Sequence, residues 1–95
     1  MPRPIIALAA VLFALGVGSH VVPVAGLADQ PEPLRRRVLR LVALEAGSPA
    51  SELFHEHVLA MDALLTDWHG QRWVDLPGPV RCSRSDGRLR VEPVR

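Results

Sequence analysis

Three residue types in this chain could do chemistry: the paired histidines His55 and His57, the single cysteine Cys82, and eleven arginines in a sequence without lysine. His55-Glu56-His57 invites a metal reading. A helical zinc site sets two histidines four apart with glutamate after the first, but the position completing that pattern here is Leu59. Residues two apart on a helix point about 200° apart, so this pair cannot grip one ion there. On a strand both rings would face one way, as in some barrel metal sites, yet such a barrel takes about 250 residues and this chain has 95. The histidines are therefore read as surface or helix-start residues. A lone cysteine excludes an intramolecular disulfide and a cysteine-built zinc site. Cys82 is expected to be an unreactive strand residue, because reactivity needs an electropositive and accessible setting. There is no Gly-x-Ser-x-Gly elbow and no phosphate-cradling glycine loop; Gly16 and Gly18 sit in an apolar run without a following lysine. No catalytic residue, metal or cofactor is assigned to the chain.

The arginines are what remains. Residues 34–44 hold Arg35, Arg36, Arg37 and Arg40 and no acid, a balance of +4. Residues 45–69 hold Glu45, Glu52, Glu56, Asp62 and Asp67 and no arginine, and residues 71–95 hold six arginines against three acids. Two basic blocks thus flank an acidic one, which the net charge of +1 conceals. Planar guanidinium groups donate two hydrogen bonds at once and are weakly hydrated, so such blocks suit phosphate. The competing reading is a solvated helix face paired with the acidic block.

A chain this short supports one small domain. After the turn-rich entry Asp29-Gln30-Pro31-Glu32-Pro33, helical spacing runs from about residue 34 to 46. Leu34, Val38, Leu41 and Val42 form its apolar stripe, with Arg36, Arg37 and Arg40 largely off it. Gly47 ends this helix and Ser48-Pro49 prevents its resumption. A second helix is expected over about 52–69, starting between Ser51 and Phe54 and ending at Gly70. Val58, Met61, Leu65 and Trp68 make its buried face, with Trp68 capping the core between the helices. Short alternating runs at about 73–76, 80–84 and 88–92 read as strands, and Asp86-Gly87 as a hairpin turn. The expected class is α+β: two packed helices followed by a small antiparallel β-meander, preceded by an apolar N-terminal helix.

That N-terminal stretch is a different material. No charged residue lies between Arg3 and Asp29, Ile5 to Val17 is apolar apart from Gly16, and Gly26-Leu27-Ala28 offers a small-residue exit. This is the layout of a secretory signal or anchor. As a spanning helix it is interrupted by Ser19, His20 and Pro23. A partner-docking helix and an accidental upstream start are the other readings. Residues 1–28 are accordingly set apart from a domain of residues 29–95.

Leu34 to Gly47 reads LRRRVLRLVALEAG, Met61 to Gly78 reads MDALLTDWHGQRWVDLPG, and VRCSRSDGRLRV follows from Val80. In order, over about residues 24–95, these segments resemble the C-terminal region of actinobacterial tRNA(Ile)-lysidine synthetase. The resemblance implies an enzyme that joins lysine to the wobble cytidine of an isoleucine tRNA, ATP activating the base at C2 before the lysine amine displaces AMP. In that family the chemistry sits in an N-terminal domain with a Ser-Gly-Gly-x-Asp-Ser loop, which these residues lack. ATP is thus a cofactor of the full-length family and not of this chain. The chain is expected to be a truncated, accessory tRNA-binding region, not competent alone, with tRNA bound weakly and salt-sensitively and the catalytic domain as a second partner. The implied tRNA contacts are Arg35, Arg36, Arg37 and Arg40 on the first helix and Arg81, Arg84, Arg88 and Arg90 on the hairpin. For Arg37 the structural alternative is a salt bridge to an acid of the second helix. Phe54 departs from the serine or threonine that usually opens that helix, leaving Ser51 as a replacement cap. Such a domain works in the cytoplasm. The alternative is a small exported or membrane-anchored interaction protein, held through residues 1–28.

Overall fold

The computed structural model describes residues 20–94. Their order is β1 (His20–Pro23), α1 (Val24–Ala28), α2 (Glu32–Ala46), α3 (His55–Thr66), β2 (Trp73–Leu76), β3 (Val80–Ser85) and β4 (Arg88–Pro93). The strands form one antiparallel sheet in the order β1-β4-β3-β2, so the class is α+β with four strands. The apolar run Ile5 to Val17, and with it the signal, anchor and N-terminal-helix readings, lies outside the described residues. No helix among the described residues is long and apolar enough to cross a membrane.

Residues 20–28, grouped by composition with the preceding apolar run, are part of the folded unit. Val22 pairs with Leu89, and Val24 donates its N–H to the Gly87 carbonyl at 2.9 Å. Val22, Val24 and Leu27 all enter the core, Leu27 with no exposed surface. His20 is buried at the start of β1. Its Nδ1 is the one buried side-chain polar atom among the described residues without a hydrogen bond.

Between the helices, the core stripe of α2 shares Val42 with the expected one, and Val38 packs against the core, but its other members differ. Leu39, Val42, Ala43 and Ala46 are buried while Leu41 is half exposed, at 50%. Counting back four from Leu39 puts Arg35 on that inward stripe. On α3 the buried positions are Val58, Met61, Asp62, Leu64 and Leu65. An arginine and an aspartate thus occupy two facing apolar surfaces. Trp68 is not a core cap: α3 ends at Thr66, and the indole lies beyond it, 44% exposed. Gly70 accordingly sits in the loop rather than at the helix end.

Turn chemistry fixes how the layers meet. Gly47 caps α2, its N–H and that of Ser48 reaching the Ala43 and Leu44 carbonyls. Ser48, buried, donates its hydroxyl to the Pro77 carbonyl at 2.8 Å, which ties this cap to the β2–β3 turn. Gly78 in that turn has φ +87°, and a Cβ there would stand 2.6 Å from Pro49 Cδ and 2.7 Å from the Gly47 carbonyl oxygen. Only glycine fits between the two turns. At the start of α3, Phe54 is the N-cap residue and offers no oxygen to the helix. His57 supplies part of what is missing: its Nδ1 accepts the Phe54 N–H at 2.9 Å, where glutamate or glutamine does so in a capping box.

Candidate nucleic-acid interface

Strand alternation decides where each hairpin arginine points. Leu76, Val80, Cys82, Leu89 and Val91 are buried beneath the helices, so the residues between them face the other way. The register arranges that second face in rows across the strands. One row is Val21, Arg90, Ser83 and Trp73; the next is Pro23, Arg88 and Ser85; a third is Glu92, Arg81 and Asp75. Trp73 is 42% exposed. The Arg81 guanidinium lies 4.2 Å from its ring centroid and donates to Asp75 at 3.1 Å. Arg84, of the same strand, is on the covered side and donates to the Leu64 carbonyl at 2.7 Å, with its guanidinium 4.5 Å from the Trp68 ring. A cation on the last carbonyls of α3 satisfies the helix end and its dipole.

The α2 arginines are divided as well. Arg35 grips Asp62 through Nε and Nη2, at 2.5 and 2.8 Å, and donates from Nη1 to the Gln30 carbonyl. Arg36 adds a 2.9 Å bond to the same carboxylate and pairs with Glu32 at 2.7 Å. Burial alone would push the Asp62 carboxyl up, but the hydrogen bonds and charges of Arg35 and Arg36 outweigh it and hold it below the usual carboxylate range. The Asp62 hydrogen bond in turn raises Arg35. Arg40 donates to the Leu53 carbonyl at 2.8 Å, pinning the loop that enters α3. An open groove of about 340 Å³ runs between α2 and α3, lined by Pro33, Arg36, Arg37, Arg40, His55 and Val58. Arg37 lies exposed at its edge. It forms no ion pair among the described residues; of the two acids of α3, Asp62 is taken by Arg35 and Arg36.

Of the eight arginines singled out by sequence, five hold other parts of the fold, and Arg37, Arg88 and Arg90 make no ion pair or side-chain hydrogen bond among the described residues. They do not share one surface: Arg88 and Arg90 stand on the sheet face that no described element covers, whereas Arg37 is in the helical layer across the core. Trp73 and its neighbour Arg72, both exposed, were not singled out by sequence, although an arginine beside an aromatic at a strand start is a visible signal. Cys82 is fully buried and its thiol is pushed up to about 12 by burial. Among the described residues, no three His, Cys, Asp or Glu side chains come together as a metal site.

Two helices thus lie against one side of a small antiparallel sheet, with Trp73, Arg88 and Arg90 on its other side and Arg37 at the groove between the helices. The chain belongs to the TilS substrate binding domain family, whose family model matches residues 23–90. It is similar to the tRNA(Ile)-lysidine synthase of Thermobifida fusca, 49% identical over 77 residues that make up 81% of this chain and 24% of that one. The corresponding synthase of Streptomyces coelicolor is 49% identical over 59 residues, 62% of this chain and 17% of its own. That of Leifsonia xyli is 43% identical over 76 residues, 80% of this chain and 22% of its own. The chain therefore spans about a quarter or less of the length of these relatives. No solved structure matches it.

Proposed function

We propose that this domain holds tRNA for lysidine formation and takes no part in the bond-making itself. The observation that carries the reading is the division of the arginines in a member of a substrate-binding family. Arg37, Arg88 and Arg90 keep their donors for an outside polyanion, and Arg36 and Arg40 add charge along the groove beside Arg37. Arg35 and Arg84 serve mainly by shaping the surface, and Arg81 by stacking on it. Phosphate contacts of this kind position an RNA without reading its sequence. The activation of cytidine by ATP and the attack by lysine belong to the catalytic domain of such synthases, which is the second partner. The site of action is the cytoplasm.

The test is binding of isoleucine tRNA to the purified chain across a salt series. Three phosphate contacts give a slope of about −2 to −3 in log K against log salt. A flat response removes the role assigned to Arg37, Arg88 and Arg90. The same preparation, supplied with ATP, lysine and tRNA, is expected to form no lysidine; detectable turnover would show that these residues do more than hold the substrate.

A further inference from the structure

We propose that the sheet face opposite the helices, which no described element covers, is a stacking platform for unpaired RNA, on which a base lies against the Trp73 indole. This rests on the reading that the chain binds RNA, and adds which part of the nucleic acid the sheet takes. Most of a large aromatic's value comes from burial, yet Trp73 stands 42% exposed. Its ring is held from one side by the Arg81 guanidinium at 4.2 Å, and Arg81 is fixed in turn by Asp75 at 3.1 Å. An indole already held in place loses little freedom when a base settles on it.

The surroundings fit a nucleotide chain. Trp73 shares its row with Ser83 and Arg90, and the next row carries Arg88 and Ser85; neither row contains an acid. The acids Asp75 and Glu92 lie in the remaining row, with Arg81 between them. At a strand spacing of about 4.8 Å, Arg90 stands about 10 Å from Trp73, with Arg88 about 7 Å further along its strand. A ring for the base, a hydroxyl beside it and two cations beyond is the arrangement by which sheet surfaces take single strands. A duplex cannot use it, because its bases are stacked on each other and show only their edges. Trp68, the other exposed indole, is engaged differently. Its Nε1 donates to the Gln71 carbonyl at 3.0 Å and its arginine is committed to the end of α3.

The experiment uses the full chain carrying Trp68→Phe, which leaves Trp73 as the reporter. The probes are an oligouridylate of about ten nucleotides, a blunt RNA duplex of the same length, and isoleucine tRNA. Saturable quenching of Trp73 by the oligouridylate and not by the duplex is expected. Trp73→Ala should weaken oligouridylate binding about 5- to 150-fold, the range for one base stacked on an aromatic, and Trp73→Phe should recover part of it. Quenching in the Trp68→Phe protein needs no change at Trp73, so the result stands even where Trp73→Ala fails to fold. The platform is overturned if the oligouridylate binds without quenching, if folded Trp73→Ala binds it as tightly as its parent, or if the duplex quenches equally. In those cases retained tRNA binding leaves the broader reading intact, whereas loss of all RNA binding by the parent removes both.

Discussion

On α2, Arg35 and Arg36 converge on one buried carboxylate, whereas on β4 Arg88 and Arg90 stand on a sheet face that no described element covers. The residues are chemically identical and the local charge is similar. What differs is the geometry of the element. A helix turning 100° per residue carries one member of an arginine run onto its inward stripe, where it must find an acid or a carbonyl. A strand with period two keeps Arg88 and Arg90 on one side while Leu89 and Val91 fill the core. Arginine is therefore structural where its element turns it inward, as at Arg35, and available where it faces outward, as at Arg88 and Arg90, and substitutions should separate the two uses.

Asp62→Ala is expected to have the largest effect. It leaves the Arg35 side chain, only 13% exposed, without its carboxylate, and breaking a buried pair from one side costs about 3–5 kcal/mol. Thermal unfolding should show a fall of more than about 10 °C. The pH dependence has a definite sign. Because the folded-state value of Asp62 is depressed, its stabilisation is complete above the unfolded value of about 3.9 and is lost as pH falls through the lower folded value. Asp62→Asn should therefore be less stable at neutral pH and should lose less on acidification than the parent. An acid limb of unchanged steepness would mean that the α2 arginines are no more committed than those of β4.

Gly78→Ala comes next, and asks whether the helical layer is seated on the sheet through the two joined turns. A side chain at φ +87° that also meets backbone at 2.7 Å should cost about 1–3 kcal/mol. Chemical denaturation measures it, and a neutral result would show that the turns can part without consequence.

These costs also explain what could be read in advance. The strands Trp73–Leu76, Val80–Ser85 and Arg88–Pro93 announce themselves by alternation and by the Asp86-Gly87 turn, whose two residues have φ 53° and 73°. Strand β1 gives no such signal, since His-Val-Val-Pro lies in an uncharged run and neither face is marked polar. On α2 two apolar stripes compete, sharing Val42, and the buried one runs back from Leu39 to Arg35. Asp62 among Val58, Met61 and Leu65 was the missing clue: a charge on each of two facing stripes is the mark of a buried pair. Arg81 and Arg84, three apart on a six-residue strand, fall on opposite faces by spacing alone, but which of them faces the helices could not be told until the strand's inward set was known.

Arg84→Ala makes the comparison within a single strand. Arg84 lies on the same strand as Arg81 but is bonded to the Leu64 carbonyl, so it should behave as the α2 arginines do. Loss of a cation from a helix end, with its hydrogen bond, costs about 1 kcal/mol. Arg81→Ala, on the open face, gives up a partly exposed ion pair and stack and should cost less. Equal losses would erase the distinction between the two sides of the sheet.

The smallest effect on stability is expected from the double substitution Arg88→Gln and Arg90→Gln, within about 0.5 kcal/mol of the parent. Glutamine keeps the aliphatic stem and polar tip while removing charge, so a change in binding reports on the cation alone. If both side chains meet phosphate, the salt slope for tRNA falls by about 1.4 to 1.8. Arg37→Gln, in the other layer, should remove a further 0.7 to 0.9 or so independently, because the core separates it from β4 and distant sites add. Strong non-additivity among the three would mean that one phosphate is shared between the layers, which the opposed faces do not allow. A slope unchanged by the β4 pair but halved by Arg37→Gln would move the RNA off the sheet and into the groove between α2 and α3, leaving β4's exposed charges to keep the sheet soluble.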